Sequence, residues 1–272
     1  MNEITQPSTM PMIRSIPATK YIVNVSKLMS KLPCMPLGQT TNLRGTQSTQ
    51  VKLTGTSFIT CFDVVVHTAV VNLYVTGNQA VTATMVARAM LGHSASSVSS
   101  TLCQIIDASI AKMINTSIEI KGPYASHSDS LLRMTPIQAR TDNGTVAIHY
   151  RFDAEPVLQT YAATIGHLYT YPFEAVNKIA KLNTTIDVVV VRHYVLRRVA
   201  VAIRSGRYNT IAYDTLAKEC NVPVVKVRRI CKAVLNHLMA LGCVSSYEEY
   251  RQRRKFAGVL IRIAPKTGAP RA

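Results

Sequence analysis

Lys226, Arg228, Arg229 and Lys232 fall within one short stretch, "NVPVVKVRRICKAVLNHL", with Asn236 just beyond them and no Asp or Glu between Asn221 and Gly242. A second basic run, Arg251, Arg253, Arg254 and Lys255, follows in "RQRRK". Cations grouped without acids suit a polyanion. Arg can hold guanine through two hydrogen bonds and Asn can hold adenine in the same way, while every cation attracts phosphate. The chemistry these residues suggest is recognition of nucleic acid.

The residues that would suggest catalysis are missing in recognisable form. No GxxxxGK[ST] loop is present to cradle a triphosphate. The seven histidines include no His-x-His pair, no HExxH or GxSxG occurs, and the carboxylates are few and scattered. No catalytic residue, cofactor or metal site is expected, and the chain reads as a binding protein.

The charge balance agrees. The 272 residues carry 31 Lys and Arg against 14 Asp and Glu, a formal net charge of +17. Residues 192–272 hold 17 of the cations and 4 of the acids. Such asymmetry favours polyanionic partners and places their site in the last third. Cys34, Cys61, Cys103, Cys220, Cys231 and Cys243 form no CxxC pair and read as buried free thiols of a reducing cytoplasm. No secretory leader is recognisable. The longest apolar run, Val64 to Val75, is too short for a span of roughly 20 residues. The expected location is cytoplasmic, with no membrane partner.

Helices must position the basic side chains. On a wheel of 100° per residue, Val227, Ile230, Cys231, Val234, Leu238 and Leu241 share one face. Arg228, Arg229, Lys232 and Asn236 fall opposite, with Lys226 at the edge. The helix is expected to run to Leu241 and stop at Gly242, with Pro223 in its first helical position after an Asn221-Val222 turn. Before it, "IAYDTLAKEC" (211–220) reads as a helix, and "TTIDVVVVRHYVLRRVAVAIRS" (184–205) as a long one, with Thr185 as cap and Gly206 as stop. After it, "CVSSY" and "GVLIRIA" read as strands around a polar loop, "EEYRQRRKFA".

The same element order occurs earlier. Phe62 to Val75 follows the i, i+3, i+4 rule and ends at Gly77-Asn78. A helix over 82–91 has Thr82 and Gly92 as caps. A third covers 96–114, with Val98, Leu102, Ile105, Ser109 and Met113 on one side. "TSIEI" reads as a strand. Residues 130–141 and 145–152 read as two strands around Asp142-Asn143-Gly144, a strong hairpin signal. His67 reads as a packed histidine. The fold expected is α+β, two tandem winged helices, each a helix-turn-helix with a β-hairpin wing. The divisions are 1–56, an N-terminal arm with strand and loop, including a strand at 21–25 and loop over 33–56; 57–153, the first winged helix; 154–183, a connection; 184–265, the second winged helix; and 266–272, a basic tail.

In a helix-turn-helix the second helix of the pair enters the major groove. That assigns DNA contact to Lys226, Arg228, Arg229, Lys232 and Asn236, and wing contact to Arg251, Arg253, Arg254 and Lys255. In the first half Ser97, Ser100 and Gln104 point outward with Lys112 at the side. They suit either weak DNA contact or a dimerisation face.

Two stretches carry a family resemblance: "FDVVVHTAVVNLYVTGNQAVTATMVARAMLG" (62–92) and "HYVLRRVAVAIRSGRYNTIAYDTLAKECNVPVVKVRRICKAVLNHLMALGCVSSYEE" (193–249). They resemble winged-helix replication initiators, and more specifically initiator-like proteins of plasmids and mobile elements in Gram-positive gut bacteria. The resemblance implies binding to repeats at an origin and opening of DNA for a host helicase or its loader, with the first winged helix contributing to homodimer formation, to DNA, or to both. The first half is nearer neutral than in many such proteins. The expected function is therefore sequence-specific binding of double-stranded DNA in replication initiation. A winged-helix transcriptional regulator, or a protein docking on an acidic partner, would fit the same residues.

Overall fold

Thr60 opens the first helix with a reciprocal cap. Its Oγ1 accepts from the Asp63 backbone N–H, and its own N–H donates to Asp63 Oδ2 at 2.7 Å. This capping box satisfies two donors that a helix start leaves open. The helix, α1, covers Cys61–Val75 and is buried on nearly every side, from Asp63 through Val71. The computed structural model describes residues 22–26, 28–43, 49–91, 98–123, 126–140, 146–165, 168–172, 185–205 and 209–263.

The first half continues with the short strand β4 (Ala80–Thr82), α2 (Ala83–Leu91) and α3 (Ser100–Ile114). It then returns in an antiparallel pair, β7 (Met134–Arg140) and β8 (Val146–Phe152). Thr82 Oγ1 accepts from Met85 N–H and Ser99 Oγ from Leu102 N–H, so both later helices start on hydroxyl caps. In the second half α5 (Ile186–Ser205), β10 (Asn209–Ala212), α6 (Tyr213–Cys220) and α7 (Val224–Ala240) precede β11 (Val244–Gln252) and β12 (Lys255–Ile263). The two three-stranded sheets have matching orders, β4-β8-β7 and β10-β12-β11. In each, the short strand before the second helix pairs antiparallel with the last strand of the hairpin.

The architecture is mixed helix and sheet, as expected. Around the two halves lie β1 (Ile22–Ser26), a 3-10 turn (Met29–Cys34), β2 (Thr40–Leu43), β3 (Thr49–Thr54), β5 (Ser117–Lys121), β6 (Ser126–Ser130), α4 (Val157–Thr164) and β9 (Leu168–Pro172). β2, β3, β5 and β6 form a four-stranded sheet, and β1 pairs with β9. The segment 33–56, expected as loop, thus contains two strands, and its Met35, Val51 and Leu53 are buried. Buried side chains from both halves and from these elements form one continuous core.

Several local readings shift. Ile211 and Ala212 are strand, because they pair with Val259 and Gly258 before the chain turns into α6. Gly258 permits this approach: a Cβ there would strike the Ile211 carbonyl oxygen and the Tyr250 ring. Pro223 is the N-cap of α7, with φ −56° and ψ 137°, one residue earlier than expected. Residues 130–141 are not one strand: β6 ends at Ser130, and Leu131 and Leu132 turn into the core before β7 begins. In α3 the buried face is Ile106, Ser109, Ile110 and Met113, whereas Ile105 is exposed. Leu241, placed on the buried face of α7, is 41% exposed beyond its last turn, and Leu235 is buried instead. Of the six free thiols, Cys61, Cys220 and Cys231 are buried, Cys103 and Cys243 are half-buried, and Cys34 is exposed. Residues 1–18, Gly92, Ser97, Asp142-Asn143-Gly144, Gly206 and the tail 266–272 lie outside the described residues.

Candidate nucleic-acid interface

α7 is seated on Val227, Ile230, Cys231, Val234, Leu235 and Leu238, all buried. α6 reaches it through Asn221, whose left-handed φ of 54° reverses the chain in a single residue. Asn is among the few side chains that tolerate this conformation. The packing leaves Val225, Arg229 and Asn236 exposed, with Arg228 and Lys232 on the flank toward the hairpin.

The basic face is not uniformly free. Arg228 Nε donates to Glu249 Oε1 at 2.7 Å and its Nη2 to Oε2 at 3.1 Å. Lys232 Nζ reaches the same carboxylate at 3.0 Å, and Tyr213 Oη donates to it at 2.8 Å. Four donors on one carboxylate hold Glu249 at about 2, well below the usual range, with the Arg228 hydrogen bonds as the largest cause. Lys226 pairs with Asp187 at the start of α5, 2.6 Å away. Asn236 Oδ1 accepts from Tyr247 Oη at 2.9 Å. The expectation that this face is bare of acids is corrected. Asp187 and Glu249 come from other elements and pair with three of its four cations, Glu249 being shared by Arg228 and Lys232. Arg229 is exposed and makes no ion pair with another described residue.

The hairpin carries the second cluster. Residues 248–257, expected as loop, are mostly strand with a two-residue turn, Arg253-Arg254. The ladder continues to the turn through the pairs Arg251–Phe256 and Gln252–Lys255, after a register shift between Tyr250 and Arg251. Both turn residues are left-handed, with φ of 47° and 66°. Tight hairpins need such angles, and Asn-Gly supplies them with little strain. Two arginines there are strained, and strain of this kind tends to collect at functional sites. Arg251 lies across the ladder from Phe256, with its guanidinium carbon 4.3 Å from the ring centroid. Arg228 approaches the same ring at 3.7 Å. One aromatic ring thus fixes a helix arginine and a hairpin arginine together. All five residues from Arg251 to Lys255 are exposed. An open groove of about 950 Å³ separates this tip from the start of α7, with Val224, Val225, Arg253, Lys255, Phe256 and Asp214 among its lining.

The corresponding face in the first half is poor in cations and carries one acid, the half-buried Asp107, which accepts from Tyr150 Oη at 3.0 Å. Ser100 and Gln104 are exposed on α3. Lys112 donates to Asp63 Oδ2 at 2.8 Å and also reaches the Phe58 carbonyl, so it serves the buried carboxylate of α1 and does not point outward. Ser109 Oγ donates to the same carboxylate at 2.6 Å.

Phe256, Glu249 and Val225 were not singled out by the sequence. No clean alternation in "VSSYEEYRQ" marked the strand; Glu249 is turned toward α7 by its pairing opposite Val259.

No family model and no curated protein matches the chain. Among solved structures, the chain is similar to domains 2 and 3 of RctB. A structure of selenomethionine derivatives of these domains has 13% identity and a TM-score of 0.46, covering 88% of this chain and 96% of that one. A second structure of RctB domains 2-3 has 13% identity and a TM-score of 0.48, covering 84% and 91%. The likeness is coarse, one of overall layout. No helix among the described residues is long and apolar enough to cross a membrane, and no group of His, Cys, Asp and Glu among them could hold a metal ion.

Proposed function

We propose that the protein binds double-stranded DNA sequence-specifically through two tandem winged helices, and that it acts in replication initiation at the repeats of a plasmid or mobile-element origin. The observation that carries the DNA reading is the combination at α7 and the β11–β12 tip. Arg229 is exposed on α7 with no ion pair among the described residues, and the strained, exposed Arg253-Arg254 turn stands at the hairpin tip, across an open groove from Val224 and Val225 at the start of that helix. The repeated order of helix, short strand, helix, helix and hairpin supports the winged-helix assignment. The initiator role rests on the resemblance of residues 62–92 and 193–249 to that family.

In this reading α7 enters the major groove and Arg229 reads a base edge. Arg251, Arg253, Arg254 and Lys255 hold phosphate. Arg228 and Lys232 set the angle between helix and wing through Glu249. The second half supplies most of the attraction, and the first half contributes a cation-poor face suited to packing or to a second copy. The protein works by binding, without catalysis, and hands opened DNA to host replication proteins. A titration of labelled duplex at several salt concentrations tests the reading. Neutralising 6–10 phosphates should weaken binding about 10³–10⁵-fold between 50 and 200 mM salt. A flat response overturns it. Genome-wide mapping of bound sites then separates an initiator, bound at repeats within its own replicon, from a regulator bound at promoters.

A further inference from the structure

Val225 is the second residue of α7 and is 83% exposed; Val224 before it is 37% exposed. The helix is seated by other residues, so the fold has no use for an apolar side chain at 225. A β-branched residue is also a poor choice for an exposed helical position. The two valines line the groove facing Arg253 and Lys255. Arg229 lies four residues on from Val225, one turn along the same side.

Base edges in the major groove offer one apolar feature, the C5 methyl group of thymine. The first turn of a recognition helix is the part that meets base edges. The geometry points to Val225 as a specificity-determining residue that packs on a thymine methyl group, beside a guanine held by Arg229. This inference rests on the DNA reading above. Four helical residues rise about 6 Å and base pairs are stacked about 3.4 Å apart, so the two bases lie within about two steps of each other. Asp214, which also lines the groove, repels phosphate, which leaves the backbone to Arg253 and Lys255. The same C5 methyl is presented by 5-methylcytosine, so methylated cytosine should substitute for that one thymine.

The test uses the full chain. Sites are selected from a random duplex pool, and each thymine of the enriched site is then replaced in turn by deoxyuridine, which lacks only the methyl group. One replacement should weaken binding by the wild type about fourfold, the worth of one buried methyl group. Placing 5-methylcytosine there should restore more affinity than cytosine does. Val225→Ser should bind the thymine and deoxyuridine duplexes alike, and its melting temperature should match the wild type because the side chain is exposed. If no deoxyuridine replacement changes affinity, or if Val225→Ser keeps the fourfold difference at the same position, the inference is wrong while DNA binding stands. If the pool yields no enriched site and the protein ignores duplex DNA altogether, the underlying reading fails with it.

Discussion

Arg228 and Glu249 meet at two points, Nε to Oε1 at 2.7 Å and Nη2 to Oε2 at 3.1 Å, so helix α7 and strand β11 are tied by a planar pair. The Phe256 ring lies against the same guanidinium. Arg228 thus has both hydrogen-bonding and stacking partners before any ligand arrives, and it cannot turn freely toward a phosphate. In an interface made of a helix and a wing, this pair sets the angle at which the two would approach DNA.

Glu249→Gln should therefore act on both stability and binding. Loss of the charged acceptor should lower stability at neutral pH by about 1–2 kcal/mol, discounted for the solvent around Lys232. The folded carboxyl titrates at about 2 and the unfolded one near 4.5, so as pH falls the unfolded chain takes up the proton first. The stabilisation is complete above about 4.5 and is lost as pH falls toward about 2. Denaturant melts of wild type and variant should differ at pH 7 and converge near pH 2. Equal differences at both values would show that the carboxylate charge contributes nothing.

His67 and His193 should dominate a separate acid transition. Both are buried, and burial lowers His67 to about 4 and His193 to about 3, the latter helped by Arg197 and Arg192. The unfolded chain binds these protons near pH 6.5, so stability falls as pH drops from 6.5 toward 4. The expected result is a melting temperature that declines across that window. His67→Gln should flatten the decline. An unchanged slope in that variant would remove His67 from the account.

The Arg253-Arg254 turn predicts opposite effects on stability and binding. Replacing it by Asn-Gly relieves two left-handed non-glycine residues and should raise stability by about 1–2 kcal/mol. It also removes two hairpin cations, so under the proposed DNA reading duplex affinity should fall and the salt slope should drop by about two. A variant that is more stable and binds as tightly as wild type would show that the strain serves something other than phosphate contact.

Lys112→Met should lower stability by about 1–3 kcal/mol, because it leaves the buried Asp63 with only Thr60 and Ser109 as donors. Duplex affinity measured well below the melting temperature should not change. A selective loss of DNA binding with an intact melt would return Lys112 to the interface.

How much of this was legible depends on sequence distance. The seat of α7 was readable because Val227, Ile230, Cys231, Val234 and Leu238 repeat at helical spacing within one window. The turn at Asn221 was readable from residue type. Ion pairs were not. Asp187 lies 39 residues before Lys226 and Glu249 lies 21 after Arg228, so a stretch without acids looked unneutralised. The β11–β12 hairpin was misread for a related reason. Glu, Gln and Arg suggest a polar loop, but the ladder takes Glu248 on its exposed face and Glu249, opposite Val259, on the face toward α7, where Arg228, Lys232 and Tyr213 satisfy it. The sheet of β2, β3, β5 and β6 was hidden because its partners are separated by α1, α2 and α3, and strand pairing leaves no local pattern at that range.

Arg229 and Arg251 should fail differently when each is changed to Ala. Arg229 is exposed on α7 one turn from Val225, where a base edge would sit. Its loss should cost about 1–3 kcal/mol on the selected site and relax preference at one base pair, with little change on scrambled duplex. Arg251 stacks on Phe256 and faces outward from the hairpin. Its loss should weaken selected and scrambled duplexes alike and reduce the salt slope by about one. Stability should distinguish them too. Arg229→Ala should stay within about 0.5 kcal/mol of wild type, whereas Arg251→Ala should lose about 0.5–1 kcal/mol with its ring contact. Arg251→Lys keeps the charge on a side chain that cannot stack in the same plane, so it should retain the salt slope and show part of the stability loss. Paired titrations on both duplexes, with melts alongside, read all of these at once. If Arg229→Ala lowers binding to both duplexes equally while its melt is unchanged, α7 places the protein on DNA without reading it.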